Sequence, residues 1–385
     1  MRSPVRFPRT IALFIGVLSV ASPLIAASQA ASAAGCQAWS GAQPPDPAGP
    51  SQQNELDGVA VVSSCDAWAV GQYGTPLRTL AVRWDGSSWT VAATPDPSAT
   101  GVNVLSAVAA TSAGNAWAVG DYTTAGGHRT LIARWNGHTW RQVTSPNPSP
   151  ASNYLNGVAA ASATSAWAVG EYTATSGQRT LIVRWNGHGW KRVASPSPSP
   201  TFNPLFAVAA TSPGNAWAVG TEISGTVQQA LILHWNGVSW KRVPSPNPSA
   251  STQVLFGVAA TSASNAWAVG EYLDSAGDFQ PLVVHWNGRA WQRSALPNIF
   301  SAAVKNQLFS VAATSAGNAW AVGDFALNQT LILHWNGTSW RREASPNLSA
   351  RDFLGGVAAT SSSDAWAVGA YNNGTADQTL ALHCC

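Results

Sequence analysis

Charge is scarce in this chain: Asp, Glu, Lys and Arg make up 10% of its 385 residues, against roughly a quarter in average soluble proteins. There is one methionine, and cysteines number four. Beyond the N-terminal segment no apolar run is long enough to span a bilayer. Helical periodicity is missing as well, which excludes stacked helix pairs. The formal charge of +3 falls to 0 once Arg2, Arg6 and Arg9 are cut away. A neutral product without basic runs is a poor partner for nucleic acid or an anionic membrane surface. Nucleophile elbows, phosphate loops and zinc signatures do not occur, so neither a cofactor nor a metal is expected.

The N-terminus reads as a secretory signal over residues 1–30. Three arginines precede an apolar run from Ile11 to Ile25, followed by mostly small residues to Gly35. Cleavage is expected between Ser28 and Gly35, leaving one extracellular domain over residues 36–385. Ala33-Ala34-Gly35-Cys36 offers a minor alternative, a lipid anchor on Cys36.

What the chain has in excess is tryptophan, 20 residues, alongside 34 Gly and 24 Pro. Ala-Trp-Ala-Val-Gly occurs seven times, placing Trp68, Trp117, Trp167, Trp217, Trp267, Trp320 and Trp366 at spacings of 46 to 53 residues. A second series, Trp84, Trp135, Trp185, Trp235, Trp286 and Trp335, precedes Asn-Gly or Asp-Gly. A third stands five residues further on, from Trp89 to Trp340. Recurrence with the repeat assigns these rings to packing rather than to sugar binding.

Each unit contains four short strand-like runs; in the fifth they begin at Phe256, Ala266, Leu282 and Trp291. Asn287-Gly288 between the last two is a hairpin signal, since both residues tolerate positive φ. Proline-rich segments such as Ser245–Ser249 mark the unit boundaries. Four antiparallel strands per unit of about 50 residues is the pattern of a propeller blade. The unit resembles the kelch repeat, as found in the central domain of galactose-oxidase-type propellers. Ala-Trp-Ala-Val-Gly matches its aromatic strand ending in glycine, and Trp235 with Trp240 matches its later aromatic pair. One glycine stands where kelch repeats carry two, and the paired aromatics are closer together.

The seventh unit stops within its third strand, at Leu382-His383-Cys384-Cys385, and so lacks a fourth. Trp39 to Pro47 matches the spacing of Trp340 to Leu348, which makes Trp39 the missing outer-strand tryptophan. The expected fold is therefore all-β: a seven-bladed propeller, four antiparallel strands per blade, closed by an N-terminal strand that completes the last blade. Cys36, Cys65, Cys384 and Cys385 should then cluster at the seam. Cys36 and Cys65 are each expected to pair with one of the terminal two in an oxidising setting.

The second loop of each blade and the connections between blades share one face, where binding loops are free to vary. There an acid follows the repeated strand in Asp121, Glu171, Glu271 and Asp324, with Glu222 one place later in the fourth unit. Aromatics come next, among them Tyr122, Tyr172, Tyr272 and Phe325. One reading is an acidic, aromatic-edged ring for sugars or cations. The other pairs the acids with third-strand arginines, Asp121 with Arg129 and Glu171 with Arg179. His234, His285, His334 and His383 share one position with Arg83, Arg134 and Arg184, which favours stacking on the next blade's tryptophan over metal binding.

These features predict a monomeric, non-catalytic exported propeller that binds an extracellular glycan or protein on its long-loop face. The alternatives are an enzyme such as a lyase, hydrolase or cyclase, with a site near Glu222, Glu271 and Asp324, and a structural envelope or matrix protein.

Overall fold

The computed structural model describes residues 38–298, 305–326 and 329–384. The expected leader over residues 1–30, Cys36 and Cys385 lie outside them. The described residues form seven sheets of four antiparallel strands. In the fifth blade the strands are Gln253–Ser262, Asn265–Leu273, Phe279–Trp286 and Trp291–Arg293. They extend beyond the runs that hydrophobicity marks, because the ladder continues through polar residues at both ends. No helix among the described residues is long and apolar enough to cross a membrane.

The last blade combines Asp352–Ala359, Ala365–Asn372 and Asp377–Cys384 with Trp39–Ser40. Trp39 pairs with Cys384 and Ser40 with His383. Beyond this two-residue strand the chain is clamped to the last blade by side chains. Gln43 Oε1 accepts from the Ala381 amide at 3.0 Å, and Asp46 Oδ1 from the Thr379 amide at 2.8 Å. Asn347 clamps Thr330 in the sixth blade in the same way, as does Asp96 with Thr79 in the first. The closing segment thus repeats in trans the clamp that other blades make in cis.

Tryptophan joins blade to blade. The second-strand ring of each blade, 0–1% exposed, is buried against the paired rings of the next. Trp68 lies 4.8 Å from Trp135 and 5.0 Å from Trp140. At the seam Trp366 meets Trp84 at 5.1 Å and Trp89 at 4.9 Å, and Trp320 meets Trp39 edge-on at 5.4 Å. Cys384 stands where the other blades have their third-strand tryptophan, so Trp39 makes the Trp320 contact alone. The arginine and histidine series covers the other face of the second-strand ring: His234 stacks on Trp217 at 4.1 Å, and Arg134 lies over Trp117 at 5.1 Å.

Cys65 sits in the first turn of blade one, against Gly86 of the third turn, so these turns share a face as the alternation of strands requires. Its thiol is free and exposed. The expected pairing of Cys65 with a terminal cysteine is therefore corrected: on its hairpin tip it faces solvent.

The glycine that ends each Ala-Trp-Ala-Val-Gly strand permits close approach of the inner strand. A Cβ on Gly270 would lie 1.9 Å from the Val254 carbonyl oxygen. Gly270→Ala is expected to cost about 2–3 kcal/mol through forced strand separation, read as a lower urea midpoint. Gly189→Ala, where a Cβ would meet nothing within 4 Å, should leave the midpoint unchanged.

Candidate functional site

The inner strands of all seven blades are broken by a β-bulge at one equivalent place. Register slips between Leu56 and Gly58, Leu105 and Ala107, Leu155 and Gly157, and at the corresponding pairs of the other four blades. A bulge frees one residue from the ladder and re-aims its side chain. The freed residues are Asp57, Ser106, Asn156, Phe206, Phe256, Phe309 and Gly355, and all seven line the central channel. Small residues follow each of them, because neighbouring inner strands nearly touch at the axis. A Cβ on Gly157 would come within 2.9 Å of the Ala207 Cα.

This ring is where the repeat stops being a repeat. Phe206, Phe256 and Phe309 form a continuous arc, with ring centroids 5.5 Å and 5.7 Å apart. Asp57, Ser106 and Asn156 make a polar arc opposite. Gly355 leaves a gap between Phe309 and Asp57. Beside the gap lies a cavity of about 340 Å³ lined by Asp57, Phe309, Asp324, Arg351, Phe353 and Gly355. Asp324 ends a second strand and Arg351 belongs to an inter-blade connection, so the cavity opens on the long-loop face. Sequence reasoning passed over the ring, although superposing the seven repeats exposes it. The residue before Gly-Val, Ala-Val or Ser-Val is Asp, Ser, Asn, Phe, Phe, Phe and Gly in the seven copies.

The acids after the repeated strand do reach this face, but with partners other than those expected. Arg129 donates to the carbonyls of Ser149 and Pro150, and Arg179 to Ser199 O and Ser176 Oγ. The expected pairs Asp121–Arg129 and Glu171–Arg179 are absent because both arginines fasten the inter-blade connections instead. Asp121 Oδ2 meets His128 Nδ1 at 2.6 Å, and Asn156 Nδ2 donates to Glu171 Oε2 at 2.7 Å. Glu271 accepts from Gln307 Nε2. Burial raises the pKa of Asp121, Glu271 and Asp324. It pushes Glu171 up to about 7, with the Asn156 hydrogen bond opposing and the charge of Asp121 adding. Asp57 is raised well above the usual carboxylate range by burial and then by Glu55.

The aromatics that follow the acids belong to another surface, since successive strand residues face opposite sides. Arg192 lies over Tyr172 at 4.6 Å and donates to its hydroxyl. Arg293 does the same to Tyr272, and Arg342 lies 4.1 Å over Phe325. Tyr122 packs towards the core shared with the preceding blade. Glu222 occupies this aromatic position in the fourth blade, and it accordingly pairs with Arg242 of the outer strand. It is not a member of the acidic set; Thr221 stands there instead, bonding the carbonyl oxygen of Gln229. The acidic, aromatic-edged ring thus resolves into two surfaces. Partly buried acids face the channel side, and cation-capped aromatics face the outer strands.

No family model matches the chain, and no curated protein does. Solved structures do. YCF48 bound to a D1 peptide is similar over 90% of this chain and 96% of its own, with a TM-score of 0.55 at 12% identity. YCF48 from Cyanidioschyzon merolae is similar over 90% and 98%, with a TM-score of 0.56 at 17% identity. The likeness is one of fold. At these identities it carries the propeller architecture and no site residue.

Glu171 gives the site a pH signature. The folded chain keeps a proton that the unfolded chain releases between about pH 4.5 and 7, so this residue lowers stability as pH rises through that window. Buried histidines act oppositely: His334, pushed down to about 4 by burial, lowers stability as pH falls below its ordinary 6.5. Comparison with Glu171→Gln isolates the carboxyl. The variant is expected to exceed the wild type by on the order of 1 kcal/mol at pH 8, with the gap closing towards pH 5. A gap that does not change with pH in denaturant titrations would refute the assignment.

Proposed function

We propose that the chain is an exported, monomeric binding propeller whose channel mouth, on the long-loop face, holds an extended segment of a protein partner. The observation that carries this reading is the amphiphilic ring at the bulge. A scaffold repeated seven times places three phenylalanines on one arc and Asp57, Ser106 and Asn156 on the other. A peptide presents both kinds of surface along one strand of chain. Its apolar side chains suit the phenylalanine arc, and its backbone and polar groups suit the opposite one. The rings of Tyr172, Tyr272 and Phe325 are each covered by an arginine. These faces are not open platforms for sugar stacking, which favours a protein partner over a glycan. That a propeller of this fold has been captured with a peptide lends the reading support.

Export is part of the proposal. The arginine-flanked apolar run before residue 30 would direct the chain out of the cytoplasm, and the kelch-like repeat would serve as a stable extracellular scaffold.

The test is a random peptide panel and a glycan array, both applied to residues 36–385. Bound peptides are expected, and Phe256→Ala should weaken them at least tenfold, about 1.4 kcal/mol. The half-buried Phe256 should be removable with an intact thermal transition. Binding on the glycan array together with silence on the peptide panel would overturn the reading.

A further inference from the structure

The cavity beside Gly355 is more specific than the channel as a whole. Two carboxylates from different blades line it, Asp324 from the sixth and Asp57 from the first, together with the rings of Phe309 and Phe353. Asp57 Oδ2 and Asp324 Oδ1 are both sealed from solvent, and neither has a hydrogen-bond partner among the described residues. A buried carboxylate oxygen without a donor is costly, so a donor brought into the cavity would relieve both. The neighbouring polar groups are already engaged. Glu55 accepts from Gln53 and Gln72, and Asp352 accepts from the Leu348 amide and Ser349 Oγ.

We propose that this cavity is a binding site for a primary alkylammonium group, the side chain of a lysine in the partner segment. It rests on the peptide-binding reading for the source of the lysine, and it adds what that reading leaves open, the residue recognised. An ammonium carries three donors around one compact charge, so it can serve two carboxylates that line one cavity from different blades. A guanidinium is a planar fork made for a single carboxylate. The four-carbon stem of lysine would lie against Phe309 and Phe353, whose faces attract the cation as well. A hydrated divalent ion finds no such complement, since it demands several oxygen ligands and gains nothing from aromatic walls. Arg351 in the lining is exposed, and Lys305, whose charge acts on Asp324, lies over the Phe279 ring, so neither supplies the missing donor.

Gly355 makes the room. Six blades carry a side chain at this place, and only the seventh does not. A Cβ on Gly355 would meet nothing closer than 3.4 Å, the Asp57 carbonyl oxygen, so a larger residue can be built there without backbone strain.

Pentylammonium chloride serves as the probe, with pentan-1-ol as its neutral counterpart, in ligand-observed NMR titrations of the mature protein. Pentylammonium is expected to bind in the millimolar range, consistent with so small a ligand, and the alcohol at least tenfold more weakly. Asp57→Asn and Asp324→Asn should each weaken pentylammonium at least tenfold. Both relieve a buried charge, so they should fold at least as well as the wild type. Gly355→Phe, which continues the phenylalanine arc into the gap, should abolish binding. Val238→Ala, exposed in a third turn on the opposite face, should not alter it. Equal binding of the alcohol, unchanged binding to both Asn variants, or displacement of the probe by micromolar calcium would overturn the proposal. Pentylammonium bound in this way while the peptide panel stays silent would uphold the cation site and refute the peptide reading. Peptides held through Phe256 without any lysine, and no bound pentylammonium, would do the reverse.

Discussion

A single packing unit, the second-strand tryptophan of one blade set against two outer tryptophans of the next, carries this structure. The rings meet at about 5 Å in tilted or edge-to-face arrangements, the geometry aromatic pairs prefer. Each buries roughly 150–250 Å² of mostly apolar surface, so every interface is dominated by a few large side chains. Histidine or arginine covers the remaining face, and a glycine lets the inner strand come close behind it. Nearly the same unit recurs between all neighbouring blades, and seven of them close a ring. The seam differs only in that Trp39 arrives from the other end of the chain and Cys384 takes a tryptophan's place.

Such redundancy has a consequence for function. When the interfaces are held by residues far from the axis, the innermost side chains are relieved of structural duty. The bulge then turns one residue per blade into the channel, and those seven are free to differ. They do differ, and in a graded way around the ring: acid, hydroxyl, amide, three phenylalanines, glycine. The acids at the ends of the second strands add further partly buried carboxyl groups on the same face, their ionisation opposed by burial. Asymmetry of this kind is what a symmetric scaffold needs before it can bind something that is not itself symmetric.

Architecture was legible in the residues because its determinants recur. Seven copies of Ala-Trp-Ala-Val-Gly gave the number of blades, and one orphan tryptophan at position 39 gave the closure. A packing role for the His and Arg series followed from their interchange, but the histidines stack on the second-strand tryptophan of their own blade and only the arginines also reach the next blade's ring. The site was harder to see for three physical reasons. A bulge leaves no mark in an alternating pattern, so Phe256 reads as one more apolar strand residue. Neighbours in sequence point to opposite faces, so Glu171 and Tyr172, adjacent in the chain, serve different surfaces. A one-residue offset moved Glu222 from the acidic set to the outer-strand arginine Arg242. Cysteine pairing depended on the chain ends, and Cys65 lies on a hairpin tip that solvent reaches.

Closure of the ring requires that the seam be held by the same kind of interlock as the other interfaces. A double-mutant cycle on Trp39 and Trp320, with each changed to leucine and stability read from denaturant unfolding, measures that interlock directly. Rings in edge-on contact at 5.4 Å should give a coupling of about 1 kcal/mol, the double variant losing less than the sum of the single ones. Additive losses would mean that Trp39 does not pack on Trp320, and the ring would not be closed as described.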